Sequence, residues 1–328
     1  MSSPTTSAPP LRLGTRRSKL ALTQARWVAD ALSTTAGHTV QISPMSSDGD
    51  ASSEPIAAFG STGVFVTALR EALLRGEVDF VVHSFKDLPT TPDPRLHVAA
   101  VPVREDPRDA LVWRDGTMRP NDLPAGARIG TGSPRRAAQL RALAPEVRVI
   151  PLRGNVDSRL AKIVHGEVDG VVLAMAGLCR LCLCRTDVTP IPFDKLVPAP
   201  AQGALAVECR AGDIATLDIL STVDHEPSRV RVEAERAVLR ALNAGCTAPV
   251  GAHAELVLDR RSARMLRLDG IVAALDGSTI VHRRAIGHPD DALELGQSVA
   301  DALLAAGAGP LLRTPVSVAD PRTAPHPR

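Results

Sequence analysis

Arginines recur beside glycine and hydroxyl residues at three places where a short apolar stretch gives way to a helical pattern. The three segments are Leu13-Gly-Thr-Arg-Arg-Ser18, Ile129-Gly-Thr-Gly-Ser-Pro-Arg-Arg136 and Leu152-Arg-Gly-Asn155. Ser18, Ser133 and Asn155 are suited to cap the helices that follow, and a proline at position 134 fits the first helical turn. Because a helix N-terminus carries partial positive charge, an arginine there costs about 0.3–1 kcal/mol unless an anion offsets it. Three such turns predict a cleft that holds several carboxylates or phosphates in arginine forks.

A fourth segment combines a base and an acid directly after an apolar strand. His83-Ser-Phe-Lys-Asp-Leu-Pro89 follows Phe80-Val-Val, so Lys86 and Asp87 would emerge at a strand end. An acid among several arginines should stay ionised and could stabilise a cation formed in a reaction. A surface turn stopped by proline is the alternative interpretation of these residues.

The five cysteines occur in different contexts. Cys246 follows a helical pattern in a loop of small residues, where it could be a nucleophile or a point of covalent attachment, or else a small buried hydrophobe. Cys179, Cys182 and Cys184 lack the second pair or histidine cluster that a tetrahedral metal site needs, so core packing is favoured. An odd cysteine count, with a start that lacks the features of a signal peptide, predicts reduced thiols and a cytoplasmic location.

Composition excludes several other classes of protein. The chain has 328 residues, enough for two or three domains, and its 44% hydrophobic content suits a globular protein. A net charge of +2 and an aromatic content of 2% without tyrosine argue against nucleic-acid binding. No apolar run approaches the roughly 18 residues that span a bilayer. Arg135 stands where a dinucleotide fingerprint needs its third glycine, and no Walker A segment occurs.

The elements that must position these residues form a faint internal repeat. Arg12-Leu-Gly-Thr15 returns as Arg128-Ile-Gly-Thr131, and Gly76-Glu-Val-Asp79 returns as Gly166-Glu-Val-Asp169. Each half has the order strand, helix, strand, helix, strand, which predicts two mainly parallel α/β domains. In such sheets the strand-to-helix turns gather at the carboxyl ends of the strands, where ligands bind.

The remaining pattern predicts where the domains begin and end. We expect one α/β domain at residues 11–104 and 203–222, a second at 105–202, a small α+β domain at 225–313, and disordered tails at 1–10 and 314–328. Residues 104–108 and 198–203 would be the two crossovers between the cleft domains. Helices are predicted at residues 18–33, 63–75, 155–165, 226–244 and 289–306, and an Asp-Gly pair at 276–277 predicts a hairpin.

Six motifs, taken in order and spacing, resemble the porphobilinogen deaminase family, also called hydroxymethylbilane synthases, over residues 11–312. They are Thr15-Arg-Arg-Ser18, His83-Ser-Phe-Lys-Asp-Leu-Pro89, Gly130-Thr-Gly-Ser-Pro-Arg-Arg136, Leu152-Arg-Gly-Asn-Val-Asp-Ser-Arg-Leu160, Gln202-Gly-Ala-Leu205 and Gly245-Cys246. The resemblance implies two domains similar to the type 2 periplasmic-binding fold around a cleft, plus a small α+β C-terminal domain that bears a cofactor cysteine.

The resemblance also implies an activity. The family joins four molecules of porphobilinogen head to tail, releases ammonia each time and yields hydroxymethylbilane for tetrapyrrole (haem) biosynthesis. The chain grows on a covalent dipyrromethane cofactor, which a thioether would attach here to Cys246. Asp87 would be the catalytic residue, stabilising a cationic intermediate and moving protons. The residues implied in binding substrate and cofactor are Arg16, Ser18, Lys86, Thr131, Ser133, Arg135, Arg136, Arg153, Arg159 and Gln202.

The same resemblance implies that neither a metal nor a nucleotide is required. From the composition we expect no nucleic-acid or membrane partner, and we expect a monomer. Three positions depart from the family pattern: Pro134 stands where leucine is usual, Ala137 where glutamine is common, and Ala201 where glycine is usual. The last departure could stiffen the strand between the domains.

Two other classes would share the cleft and its arginines. A solute-binding protein would not need Cys246, so the mass of the purified chain separates it from the enzyme. A phosphate-ligand transferase should respond to nucleotides or sugar phosphates.

Overall fold

The structure is a computed structural model that describes residues 9–45, 64–184, 187–245 and 247–313. The first α/β segment comprises β1 (Leu11–Arg16), α1 (Lys19–Ala36), β2 (Val40–Met45), α2 (Val64–Leu74), β3 (Phe80–Ser84) and β4 (Leu96–Ala100). The second comprises β5 (Asp109–Trp113), β6 (Arg128–Thr131), α3 (Pro134–Leu143), β7 (Arg148–Pro151), α4 (Val156–Val164), β8 (Gly170–Ala174), α5 (Met175–Arg180) and β9 (Val188–Pro190). The chain continues with β10 (Leu205–Arg210), α6 (Ile214–Ser221), α7 (Glu226–Ala241), β11 (Val250–Leu258), β12 (Arg264–Ala273), β13 (Ile280–Gly287), α8 (Ala292–Ala305) and α9 (Gly309–Arg313). Cys246, most of the expected N-terminal tail and all of the C-terminal one lie outside the described residues.

Two five-stranded sheets of matching topology form the cleft domains. Their orders are β2-β1-β3-β10-β4 and β7-β6-β8-β5-β9. In each sheet the first three strands are parallel, and the fourth runs antiparallel to both of its neighbours. That fourth strand is β10 in one sheet and β5 in the other. In the chain, each of these strands directly follows one of the two crossovers between the cleft domains. The predicted mainly parallel α/β pair is confirmed, with these two antiparallel strands as the addition.

The repeated sequence motifs have a structural explanation in an Arg–Asp clasp. In the first domain Arg12 donates to Asp79 from its backbone N at 2.8 Å and from Nη2 at 2.7 Å. In the second, Arg128 donates to Asp169 in the same way, at 2.8 and 2.9 Å. Each clasp joins the start of the first strand to the loop before the third, so the repeat belongs to the scaffold.

Local capping signals place the helices that face the cleft. The side chains of Ser18, Ser133 and Asn155 accept hydrogen bonds from the backbone N–H groups of Ala21, Arg136 and Ser158, which confirms all three predicted caps. Helix α1 runs beyond the predicted residue 33 and ends at Gly37, whose φ of 66° is left-handed.

The third domain packs two helices against a three-stranded antiparallel sheet, β11-β12-β13. Its core joins residues of α7 and α8 to the inner faces of β11 and β12. The predicted hairpin is confirmed between β12 and β13, and its Gly277 lies against α3 of the second domain. A Cβ at Gly277 would come within 2.8 Å of the Ala142 backbone N, and Arg141 donates to the Leu275 carbonyl at 2.6 Å.

The expectation of reduced thiols and core packing is wrong for two of the cysteines, because Cys179 and Cys184 form a disulfide. Helix α5 ends at Arg180, and a tight turn follows in which the Cys182 N–H donates to the Cys179 carbonyl. This turn brings the Cα atoms of the bridged pair to 5.2 Å, inside the range of about 4.4–6.8 Å that a disulfide requires. Cys182 is exposed and unbridged.

The second crossover contains a residue in an uncommon conformation. Ala201 is fully buried and has a φ of 62°, a left-handed geometry in which glycine has no steric penalty and alanine does. This explains physically why a glycine would suit position 201. The Ala201 N–H is held by Glu235 of α7 at 2.7 Å.

Candidate functional site

A buried carboxylate lies at the centre of the cleft edge of the second domain. Asp109, the first residue of β5, is fully buried and accepts from Arg135 Nη1 and Arg136 Nε, both at 2.8 Å. Burial alone would raise the pKa of Asp109, but the two guanidinium groups outweigh it and hold that pKa far below its usual value. The arginines at this turn therefore already have a counter-charge, which the sequence argument did not foresee.

Gln202 connects this cluster to the first domain. Its Oε1 accepts from Arg136 Nη2 and from Lys86 Nζ, both at 3.3 Å. Its Nε2 donates to Asp109 Oδ1 and to the Pro107 carbonyl, both at 2.9 Å. One fully buried amide thus ties the two crossovers to residues of both cleft domains.

Lys86 and Asp87 lie in a 3₁₀ turn, Phe85–Asp87, directly after β3. Burial lowers the pKa of Lys86 to about 8, and repulsion from Arg136 acts in the same direction. Asp87 is exposed. Its charge partly offsets these effects on Lys86 and also acts on Arg159 of the opposite domain.

Arg159 on α4 completes a cluster of cations. Burial, together with repulsion from Arg136 and Arg153, lowers the pKa of Arg159 to about 10, and Asp87 acts in the opposite direction. Its Nε is buried and has no hydrogen-bond partner among the described residues, and the same holds for Nε of Arg135. Unpaired buried donors on neighbouring guanidinium groups are suited to bind carboxylates.

The other candidate residues surround this cluster. Arg16 ends β1, Ser18 caps α1, and Ser133 caps α3. Thr131 is buried at the end of β6, where its Oγ1 accepts from the Ser133 N–H at 3.2 Å. Arg153 is exposed at the turn before α4.

Glycine lets the two arginine-bearing turns of the second domain approach each other. A Cβ at Gly132 would come within 2.3 Å of the Leu152 carbonyl oxygen and 4.0 Å of Arg159 Nη2. A side chain at position 132 would therefore push apart the turns that carry Arg135 and Arg153.

Helix α7 of the third domain holds the crossovers from behind. Glu235 is fully buried and accepts from Arg104 Nη1 at 2.7 Å and Nη2 at 2.8 Å. It also accepts from the backbone N–H groups of Ala201 and Ala254, at 2.7 and 2.8 Å. The sequence argument missed Glu235 and Asp109. The signal for Asp109 was an acid directly before the apolar run Ala110-Leu-Val-Trp113.

The described residues contain no cluster of three or more histidines, cysteines or acids that could hold a metal ion. None of the helices in the same ranges is both long and apolar enough to cross a bilayer. Cys246 is outside the described residues, so its surroundings play no part in the geometry above.

Fold and site together define a two-domain α/β cleft protein with a cluster of cations at the cleft and an additional domain behind it. The family model described as "Porphobilinogen deaminase, dipyromethane cofactor binding domain" matches residues 11–218, and that of the "Porphobilinogen deaminase, C-terminal domain" matches residues 229–305. The chain belongs to the porphobilinogen deaminase family.

Curated relatives cover nearly the whole chain. A porphobilinogen deaminase from Nocardia farcinica is 51% identical over 307 residues, which is 92% of this chain and 88% of that one. Porphobilinogen deaminase 1 of Streptomyces coelicolor is 50% identical and spans 92% of this chain and 97% of its own length. A porphobilinogen deaminase from Mycobacterium bovis is 51% identical over 306 residues, which is 92% of this chain and 98% of that one.

Among solved structures, the periplasmic VFT2 domain of Bordetella pertussis BvgS matches with a TM-score of 0.40 and 15% identity, over 66% of this chain and 86% of that one. An ancestral arginine-binding protein matches with a TM-score of 0.37 and 18% identity, over 66% and 91%.

Proposed function

We propose that this chain condenses four porphobilinogen molecules head to tail, releasing ammonia each time, and then releases the linear tetrapyrrole with one water as hydroxymethylbilane. The observation that carries the proposal is the position of Asp87, an exposed carboxylate that lies beside Lys86 in one turn and whose charge also acts on Arg159 of the opposite domain. Each pyrrole of the substrate bears an acetate and a propionate. The cleft therefore offers cations for those side chains and an exposed acid for the reacting atoms.

The residues of the second domain fit a dipyrromethane cofactor. Arg159 and Arg135 each keep a buried Nε without a partner among the described residues, and such donors would bind carboxylates of the cofactor and of the substrate. Arg16, Ser18, Lys86, Thr131, Ser133, Arg136, Arg153 and Gln202 would bind the remaining carboxylates of cofactor and substrate. When bound, dipyrromethane supplies the nucleophilic α-carbon on which the product grows.

Asp87 would act at the pyrrole nitrogen of the incoming substrate. Its carboxylate accepts the pyrrole N–H and stabilises the positive charge that develops as ammonia leaves. The same carboxylate can then take the proton that the new carbon centre must lose. Lys86, with its pKa lowered to about 8, is mostly charged at neutral pH and binds a side-chain carboxylate beside this atom.

Cys246 would form the thioether to the cofactor. It directly follows Gly245 in the sequence, five residues after the end of α7 at Ala241, and a thiol among small residues is suited to covalent attachment. We also propose that the enzyme acts as a monomer in the cytoplasm, since one chain supplies every residue assigned here and the substrate is a soluble small molecule.

Intact mass under denaturing conditions tests the proposal directly. Wild-type protein should exceed its sequence mass by one dipyrromethane, the adduct should map to Cys246, and Cys246→Ala should be unmodified and inactive. Cys209→Ala is the matched control, because Cys209 is a buried cysteine on β10 of the first cleft domain, and it should keep the adduct. An unmodified wild-type chain that is fully active would overturn the attachment site.

A further inference from the structure

We propose that Arg236 of α7 is a positioning residue that holds the Phe85–Asp87 turn from behind and so fixes the Asp87 carboxylate in the cleft. The inference rests on the role proposed above for Asp87. It assigns to the third domain a part in the chemical step, in addition to attachment of the cofactor.

The guanidinium group of Arg236 binds three backbone carbonyls of the loop that contains Asp87. Nη1 donates to Phe85 at 3.2 Å and to Leu88 at 3.1 Å, and Nη2 donates to Pro89 at 2.6 Å. Its Cζ also lies 4.6 Å from the centroid of the Phe85 ring, a cation–π contact. One side chain thus contacts the residues on both sides of Asp87.

The turn has few internal hydrogen bonds. Within it the Leu88 N–H donates to the Phe85 carbonyl at 3.2 Å, and Pro89 has no N–H to donate. A 3₁₀ turn of three residues has poor hydrogen-bond geometry, so its conformation depends on contacts from outside. Those contacts include the Phe85 N–H bond to the Ala204 carbonyl at 3.0 Å, the bond from Lys86 Nζ to Gln202 Oε1 at 3.3 Å and the Arg236 fork.

The cost of placing Arg236 there supports a specific purpose. Burial lowers its pKa to about 10, and repulsion from Arg70 and Arg240 acts in the same direction. Within the described part of the chain, no carboxylate forms a salt bridge with Arg236. A half-buried cation that is satisfied only by carbonyl groups adds little net stability, but its planar fork restricts where those carbonyls can lie.

Arg236 also links two parts of the proposed machinery. Its neighbour on α7, Glu235, holds both crossovers, while Arg236 holds the turn with Asp87. The same helix leads within ten residues to Cys246. One rigid element therefore sets the position of the acid relative to the residue proposed to anchor the growing chain.

The test is a double-mutant cycle on the purified, primer-loaded enzyme. Arg236→Met keeps the apolar stem and removes the fork, and Arg236→Lys keeps the charge but loses the planar geometry. Arg240→Met is the matched control. Arg236 and Arg240 line one cavity of about 110 Å³, and Arg240 is exposed and lies one helical turn further along α7. Each change is made alone and together with Asp87→Asn, and primer occupancy is measured by intact mass.

We expect Arg236→Met to keep its covalent primer and a KM for porphobilinogen within about threefold of wild type, while kcat falls about 10–100-fold, because a displacement of about 1 Å at a catalytic group costs that much. Arg236→Lys should fall by a smaller factor. In the Asp87→Asn background the further loss should shrink to less than about threefold, since both changes remove one function. Arg240→Met should match wild type.

Three results would overturn the inference. A wild-type kcat in Arg236→Met would do so. So would a fall in kcat that is equally large when Arg236→Met is made in wild-type enzyme and in Asp87→Asn. If Arg236→Met does not fold, a wild-type kcat or additive loss in Arg236→Lys overturns it instead. An Asp87→Asn variant that turns over at the wild-type rate removes the proposed catalytic role itself, whatever the Arg236 variants do.

Discussion

The two cleft domains share their strand order and the Arg–Asp clasp, but they place different residues at the ends of matching strands. After β3 the first domain has Lys86 and Asp87, whereas after β8 the second has the apolar start of α5. After β6 the second domain has the helix that carries Arg135 and Arg136.

The buried carboxylates on the two antiparallel fourth strands, β5 and β10, also differ in where they lie and in what they bind. Asp109 pairs in register with Ala174 at the cleft end of β8, where it serves the arginine cluster. Glu208 pairs with Val81 in the middle of β3 and binds Arg70 at 2.7 Å, away from the cleft edge. What the domains share is scaffold, and what they do not share fits the proposal that the first domain supplies the catalytic acid and the second supplies most of the carboxylate-binding residues.

Asp87→Asn tests that division most severely. The variant keeps the size of the side chain but loses the charge and the base, so kcat should fall about 10²–10³-fold while the covalent primer and KM are retained. Steady-state kinetics with intact mass measure both. Asp87→Glu should retain more activity because the charge is displaced and not lost. A normal kcat in Asp87→Asn would mean that the chemistry lies elsewhere.

Arg159→Leu should have the converse effect. Loss of a charged carboxylate contact worth about 1.5–3 kcal/mol predicts a KM raised about 10–100-fold with kcat within about threefold. Thermal stability should not fall, because Arg159 is repelled by Arg136 and Arg153. Arg148→Leu, at an exposed position of the edge strand β7, is the control. A kcat defect with unchanged KM would contradict the division.

The pH dependence of KM tests Lys86. Its pKa of about 8 means that the positive charge of Lys86 is lost as pH rises through 8. The KM for porphobilinogen should therefore be roughly 3–10-fold higher above that pH than at neutral pH. Because this pKa lies below that of an unfolded lysine, the buried charge costs folding stability below pH 8, and the cost disappears between pH 8 and 10.5. Lys86→Arg should show no such rise in KM. Identical profiles for the two proteins would exclude Lys86 as the titrating group.

The smallest expected effect concerns the repeat itself. Arg12→Met and Arg128→Met each remove one clasp whose arginine is exposed, so the thermal midpoint should fall by a similar small amount, about 1–3 °C, in both. Neither should change kcat or KM. Calorimetry and kinetics on the pair would show whether the clasps are scaffold, and a kinetic defect in only one would end the equivalence of the two motifs.

The sequence predicted what local chemistry determines. Ser133 and Asn155 cap their helices because the cap bond spans three residues, and the Asp276-Gly277 turn forms from its own two residues. The pairing of Asp109 with Arg135 spans 26 residues, and the fork from Arg236 to the Phe85–Pro89 carbonyls spans about 150. Such contacts depend on how the chain crosses between the domains and how the domains pack. The hydrophobic periodicity of the sequence does not encode either.

The Cys179–Cys184 disulfide shows the same limit. A count of five cysteines and the spacing of three of them favoured core packing, because neither reports how the chain turns after α5. The turn that ends at Leu183 brings the two Cα atoms together, and a turn without glycine or proline gives little warning in sequence.

Strand β10 lies between β3 and β4 in the first sheet, although the whole second sheet separates it from them in the chain. On the ribosome, β3 and β4 must therefore emerge with their facing edges unpaired, while the strands from β5 to β9 can already assemble. Unpaired edges are templates for association with other chains, and domains form as they are synthesised. The second cleft domain, which is proposed to bind carboxylates, can thus be complete in the nascent chain before β10 has been synthesised. The first domain, which is proposed to do the chemistry, still lacks that strand.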